Sequence, residues 1–191
     1  MFFFTADQHF DHDNIIRHCN RPFKSVHMMN LELIDAWNKV VRGKDVVVIC
    51  GDFAWEKNPQ RVVSEYSSKL NGNLIFIKGN HDYWWTGPSR HIYRNKVAGI
   101  KVFCCHYPMR SWVHGYNLHG HCHGTLPPWK NQLDVGVDNA RTLVGSYRPL
   151  SIVEVDLIIQ RQNKEIAHAG VVDYHAGETE NLTRVLLEHN P

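Results

Sequence analysis

The stretch Leu74-Ile75-Phe76-Ile77-Lys78-Gly79-Asn80-His81-Asp82 constrains this chain more than any other. It starts as a short apolar run, the pattern of a strand buried on both faces. It then breaks at Lys78-Gly79 into three residues that can each bind a metal or move a proton. Such a strand hands polar side chains to its own carboxyl end, where ligands bind on an open α/β sheet. The pattern also occurs upstream. Phe2-Phe3-Phe4-Thr5-Ala6 runs into Asp7-Gln8-His9, and Asp45 to Cys50 breaks at Gly51-Asp52. Alternation along an extended backbone would put Asp7 and His9 on one side, both within reach of one ion.

Helical signals fall between these strands. Asp13 caps a short helix to Cys19, which stops at Arg21-Pro22. Ser25 caps a longer one to Val41, whose stripe of Val26, Met29, Leu33, Trp37, Val40 and Val41 reads as core. Asn58-Pro59 opens a third, with Val62, Val63, Tyr66 and Leu70 on its buried face. Val46 to Ile77 is then strand, helix, strand, a right-handed crossover that makes the strands parallel and brings Asp52 and Asn80 to one edge.

Downstream, Tyr83 to Pro88 reads as an aromatic loop, followed by a stretch holding Arg90, His91 and Arg94. A strand from Ile100 to Cys105 ends in His106, and a shorter one from Tyr116 to His119 runs into Gly120-His121-Cys122-His123-Gly124. Leu133 to Asp138 alternates as a strand with one solvated face. Ser151 and Glu154 form a capping box for a helix through about Gln162, and a last amphipathic helix covers Glu178 to His189.

With 191 residues, 43% of them hydrophobic, the chain can bury a substantial core. It reads as one α/β domain over 1–191 with a C-terminal helical extension from about residue 164. The net charge of +2, from 21 basic and 19 acidic residues, gives no reason to expect tight binding of duplex nucleic acid or a membrane. Met1 to Phe4 is apolar but lacks a basic leader and meets Asp7 too soon for a signal peptide, so a soluble cytoplasmic protein is expected. Five cysteines without a Cys-x-x-Cys pair suggest reduced thiols. The unusual count is histidine, at 14.

Five polar clusters thus follow apolar runs: Asp7/His9, Asp52, Asn80/His81/Asp82, His106, and His121/His123. In this order they resemble the motifs of the calcineurin-like metallophosphoesterases: Asp-x-His, Gly-Asp, Gly-Asn-His-Glu/Asp, His, and Gly-His-x-His. The resemblance implies a layered sheet core with flanking helices, the αββα sandwich, and two divalent cations. One cation would take Asp7, His9, Asp52 and His123, and the other Asp52, Asn80, His106 and His121, with Asp52 bridging. Nitrogen and oxygen ligands without a thiolate suit Mn²⁺, with Fe or Zn²⁺ as alternatives.

Two cations about 3.5–4 Å apart can supply hydroxide near neutral pH and neutralise phosphate oxygens. By the same resemblance His81 is catalytic and no metal ligand, lying near the leaving oxygen where it would stabilise the transition state or donate a proton, and Asp82 supports its imidazole. Cys122, between two implied ligands, should point away from the metals.

The expected partner is a small phosphoester, monoester or diester, with a nucleotide as one form. The loops after His81 and His106 should line its pocket, Trp84, Trp85 or Trp112 could stack on a base or cap the core, and Arg17 or Arg110 could hold a second phosphate; Arg21 and Arg90 are further candidates. His119 could back the metal motif. The competing reading is a catalytically silent metal-binding or nucleic-acid-binding protein on the same scaffold, for which His81 would have no use.

Overall fold

The computed structural model describes residues 1–86, 90–113 and 115–168. It contains two four-stranded sheets. The first has the order β3-β2-β1-β8, with β1 Phe2–Thr5, β2 Val46–Ile49 and β3 Asn73–Phe76 parallel and β8 Leu150–Ser151 antiparallel to β1. The second has the order β4-β5-β6-β7, where β5 Ile100–Cys105, β6 Tyr116–His119 and β7 Gln132–Asp134 are parallel and β4 Ile92–Val97 closes the edge antiparallel to β5.

Side chains alternate along each strand, so successive residues of β1 and β2 serve different cores. Phe3, Val47 and Ile49 belong to a cluster with the helices α1 Asp13–His18, α2 Val26–Val40 and α3 Pro59–Glu65. Phe4, Val48 and Cys50 join Val102, Cys104, Leu118 and Leu133 from the second sheet, together with Ile152, Val155 and Ile159 of α5 Ile152–His168. This layering of helices on paired sheets is the expected α/β architecture. The sheets meet where the chain beyond β7 reaches the end of β1, through a bridge between Ala6 and Gly136 and the bond from the Val137 amide to the Ala6 carbonyl.

Several sequence expectations hold in detail. Ser25 accepts from the Met28 amide, Asn58 caps α3 with Pro59 in its first turn, and Ser151 and Glu154 form their reciprocal box. Others need correction. β3 is the edge strand of its sheet and only half-buried, because no strand covers its outer side. The segment holding Arg94 is strand β4 rather than loop. Asp13 begins α1 without capping it. The alternation from Leu133 is broken: β7 ends at Asp134, and after Gly136 the chain turns into α4 Val137–Val144. Asp134 and Asp138 are therefore drawn inward rather than solvated. The expected helix from Glu178 to His189 lies outside the described residues. Among the described residues no helix is long and apolar enough to cross a membrane.

Candidate metal centre

The parallel strands of both sheets deliver their polar breaks to one edge. Asp7 follows β1, Asp52 follows β2, Asn80 and His81 follow β3, His106 follows β5, and His121 and His123 follow β6. Asp7, His9 and His123 bring ligand atoms within 4.8 Å of one another, and so do Asp52, His106 and His121. Asp52 belongs to the second group and also reaches the first: its Oδ2 is 3.4 Å from His106 Nε2 and 3.6 Å from His9 Nε2. Asn80 Oδ1 lies 2.9 Å from His106 Nε2 and 3.1 Å from His121 Nδ1, which adds it to the second group.

The backbone bringing them together is not extended. Asp7, His9, Asp52, His121 and His123 all have positive φ, between 49° and 70°. Each such non-glycine residue costs roughly 1–3 kcal/mol, a strain that clusters at functional sites. Alternation therefore fails as the reason for pairing Asp7 with His9, and also for Cys122, which lines the same cavity as His121 and His123. Two motif glycines permit the close approach. A Cβ on Gly79 would strike the Asp52 carboxylate and amide, and one on Gly120 would stand 2.5 Å from Ala6 Cβ and 2.7 Å from Asp7 Oδ2.

Buried hydrogen bonds orient the imidazoles. The Cys50 carbonyl lies 2.9 Å from His106 Nδ1, which leaves Nε2 facing Asn80 and Asp52. His123 Nδ1 lies 2.7 Å from Asp138 Oδ2. Arg21 in turn grips Asp138 with Nε and Nη2, both at 2.8 Å, and donates to the Asp7 and Gln8 carbonyls. Arg21 is thus buried as a brace and is not a phosphate clamp.

The electrostatics match a site built for cations. Burial pushes the Asp7 carboxyl well up, and the Asp134 and Asp52 carboxylates add to the push. Burial drives His9 well below its ordinary value, which keeps it the neutral imidazole a metal requires. Burial opposes ionisation of Asp52 too, but the hydrogen bond and charge of His106 bring it to about 2. His9 Nε2 is buried and has no hydrogen-bond partner among the described residues. A buried acceptor left open beside a carboxylate fits a metal ligand.

Other site expectations fare differently. Asp82 does not support the His81 ring; its carboxylate accepts from the amides of Asp52, Phe53 and Gly79 and from Trp84 Nε1, at 2.8–3.0 Å. Trp84 is thereby buried in the first core and its ring is not offered to a ligand, while Trp85 is half-buried and packs against Phe76 and Trp84. Arg17 is exposed and donates to Asn14, while Arg110 lines a separate cavity with Trp112 and Trp129. His119 Nδ1 lies 2.9 Å from the Gly120 carbonyl.

The main cavity, about 880 Å³, is lined by His9, His81, His121 and His123 together with His12, Cys19 and Trp55. Sequence reasoning missed His12, Trp55 and Asp138. The glycine ahead of Val137 was the one hint of a helix carrying Asp138; nothing local marks the other two.

This fold and donor set define a metal-dependent enzyme on a two-sheet α/β scaffold. A profile of the calcineurin-like phosphoesterases matches residues 2–190. The chain belongs to that family and is a metal-dependent phosphoesterase. It is similar to an uncharacterized protein of Methanocaldococcus jannaschii, 36% identical over an alignment of 168 residues that covers 83% of this chain and 89% of that one. Its fold is shared with a protein of unknown function from Aquifex aeolicus, with a TM-score of 0.63 at 21% identity, over 83% of this chain and 99% of that chain.

Proposed function

We propose that the chain hydrolyses phosphomonoesters or phosphodiesters with two divalent cations that share Asp52. The observation carrying this is the position of Asp52 Oδ2 between His9 Nε2 and His106 Nε2, with Asp7, His9 and His123 gathered on one side and His106 and His121 on the other. Asp7, His9, Asp52 and His123 would hold one ion, and Asp52, Asn80, His106 and His121 the other; nitrogen and oxygen donors suit Mn²⁺, Fe or Zn²⁺. Bound there, the pair would supply an activated water and neutralise the phosphate oxygens.

The protein's own contribution is orientation and a proton. His81 stands on the cavity wall, its amide bonded at 2.8 Å to Asp52 Oδ1, so ring and bridging carboxylate keep a set distance. The His81 imidazole gives the proton to the departing oxygen. Protein stripped with chelator and reloaded with Mn²⁺ should saturate at two ions per chain and hydrolyse bis-p-nitrophenyl phosphate or p-nitrophenyl phosphate. Saturation at one ion overturns the bridging role. Two bound ions without turnover of either ester, with any of the three metals, favour the silent scaffold.

A further inference from the structure

Three large aromatic side chains are exposed among the described residues, Trp55, Tyr83 and Tyr107, and all three touch histidines of the metal centre. Exposed rings gathered at one place mark a binding surface rather than chance, since apolar area left in water is costly. Two of them form a second cavity. Trp55 and Tyr83 meet at 5.7 Å and 86°, and with Glu56 and Lys57 they enclose about 580 Å³. Trp55 also walls the main cavity, so the two spaces adjoin through its indole. The His81 ring lies 4.9 Å from Trp55 and 6.2 Å from Tyr83.

We propose that this second cavity is the leaving-group subsite and that it takes a nucleoside, which makes the substrate class a nucleotide phosphoester. The proposal rests on the reading of His81 as the group at the leaving oxygen. A leaving group that departs past His81, away from the metal ligands, enters the corner between Trp55 and Tyr83. The corner is prepared for a planar ring. His12 stacks on Trp55 at 4.2 Å and 12° and backs it, while 42% of the indole residue stays exposed. Two polar residues complete its lining among the described residues. Glu56 is fixed by the Lys57 and Asn58 amides and by Arg61, and Lys57 brings a cation for a further phosphate. Among phosphoester leaving groups the nucleoside joins a planar base to a polar sugar, which matches a lining of two aromatic and two charged residues.

Calorimetric titration of the metal-free protein with AMP and with ribose 5-phosphate tests the subsite apart from catalysis. AMP should bind at least fivefold tighter, and Trp55→Ala and Tyr83→Ala should each erase most of that preference, since a base stacked on an aromatic side chain is worth a factor of about 5 or more. Tyr83 is 56% exposed, so its variant carries the test if Trp55→Ala does not fold. Equal affinity for the two probes, or a preference that survives both variants, overturns the proposal. In the Mn²⁺-loaded enzyme the ratio of kcat/KM for a nucleoside ester over an alkyl ester should fall in the same variants; an equal loss on both esters overturns it. If the loaded wild type hydrolyses neither ester, the phosphoesterase mechanism fails, and the AMP preference still decides the subsite.

Discussion

His81 turns its ring into the main cavity, while Asp82 beside it points inward and satisfies four buried donors. The two should separate under mutation. His81→Ala should lower turnover of an ester with a poor leaving group by about 10²- to 10⁴-fold and leave two ions bound. Asp82→Asn should instead cost on the order of 3 kcal/mol in urea unfolding, because an amide cannot accept from all four donors. Wild-type stability in that variant would refute the loop-holding role of Asp82. Asp138 links both concerns, since it orients His123 and neutralises the buried Arg21. Asp138→Ala should weaken the first metal about 10- to 100-fold by chelator competition and lower stability by roughly 3–5 kcal/mol, as Arg21 is left unpaired. Unchanged metal affinity would show that His123 needs no such support.

At the level of elements, the strands are ordinary and the turns after them are strained. The helices supply compensating local order. In α5 the Glu154 carboxylate accepts from Arg148 Nη2 at 2.6 Å, from the Ser151 amide at 2.9 Å and from the Ser151 hydroxyl at 2.8 Å. Burial works against ionisation, but Arg148 and then Ser151 hold the Glu154 carboxyl below its ordinary 4.5. For an acid lowered by folding, the stabilisation is complete above the unfolded value and disappears as pH falls through the folded one. Glu154→Gln should therefore be less stable than wild type at neutral pH by about 1 kcal/mol, and the gap should close as pH drops below 4.5. A gap independent of pH would mean that the charge contributes nothing to the cap.

For the whole molecule, the metal edge is a place where folding alone works against itself. Burial and the neighbouring carboxylates of Asp134 and Asp52 raise the Asp7 carboxyl. An acid raised by folding binds its proton more tightly in the native state, so the stripped protein loses stability as pH climbs above 3.8 towards the folded value. Cations remove that penalty. Loading at 100-fold above the dissociation constant should add about 2.7 kcal/mol per site, seen as a higher Tm. Stripped Asp7→Asn should melt above stripped wild type at neutral pH and gain less from Mn²⁺. A stripped variant that melts lower would show that the Asp7 charge is already compensated within the chain.

The short apolar strands, their polar breaks and the order of the motifs were legible because they are local: hydrophobic runs, glycines and capping residues act on neighbours in sequence. Hence β5 and β6, the caps of α2, α3 and α5, and the residues at the metal edge could be named from the sequence. What the tertiary structure alone decided is how side chains point and which distant ones meet. The left-handed turns at Asp7 and His9 are held by bonds from their amides to the Gly51 and Asp52 carbonyls, and those at Asp52 and His121 by bonds from their amides to the Asp82 and Asp7 carboxylates. Trp84 was drawn into the core by the Asp82 carboxylate, whereas Trp55, without any local signal, came to stand beside His81. Arg21 found Asp138 across 117 positions of sequence, and a pairing at that separation is set by packing of the two sheets rather than by any pattern along the chain.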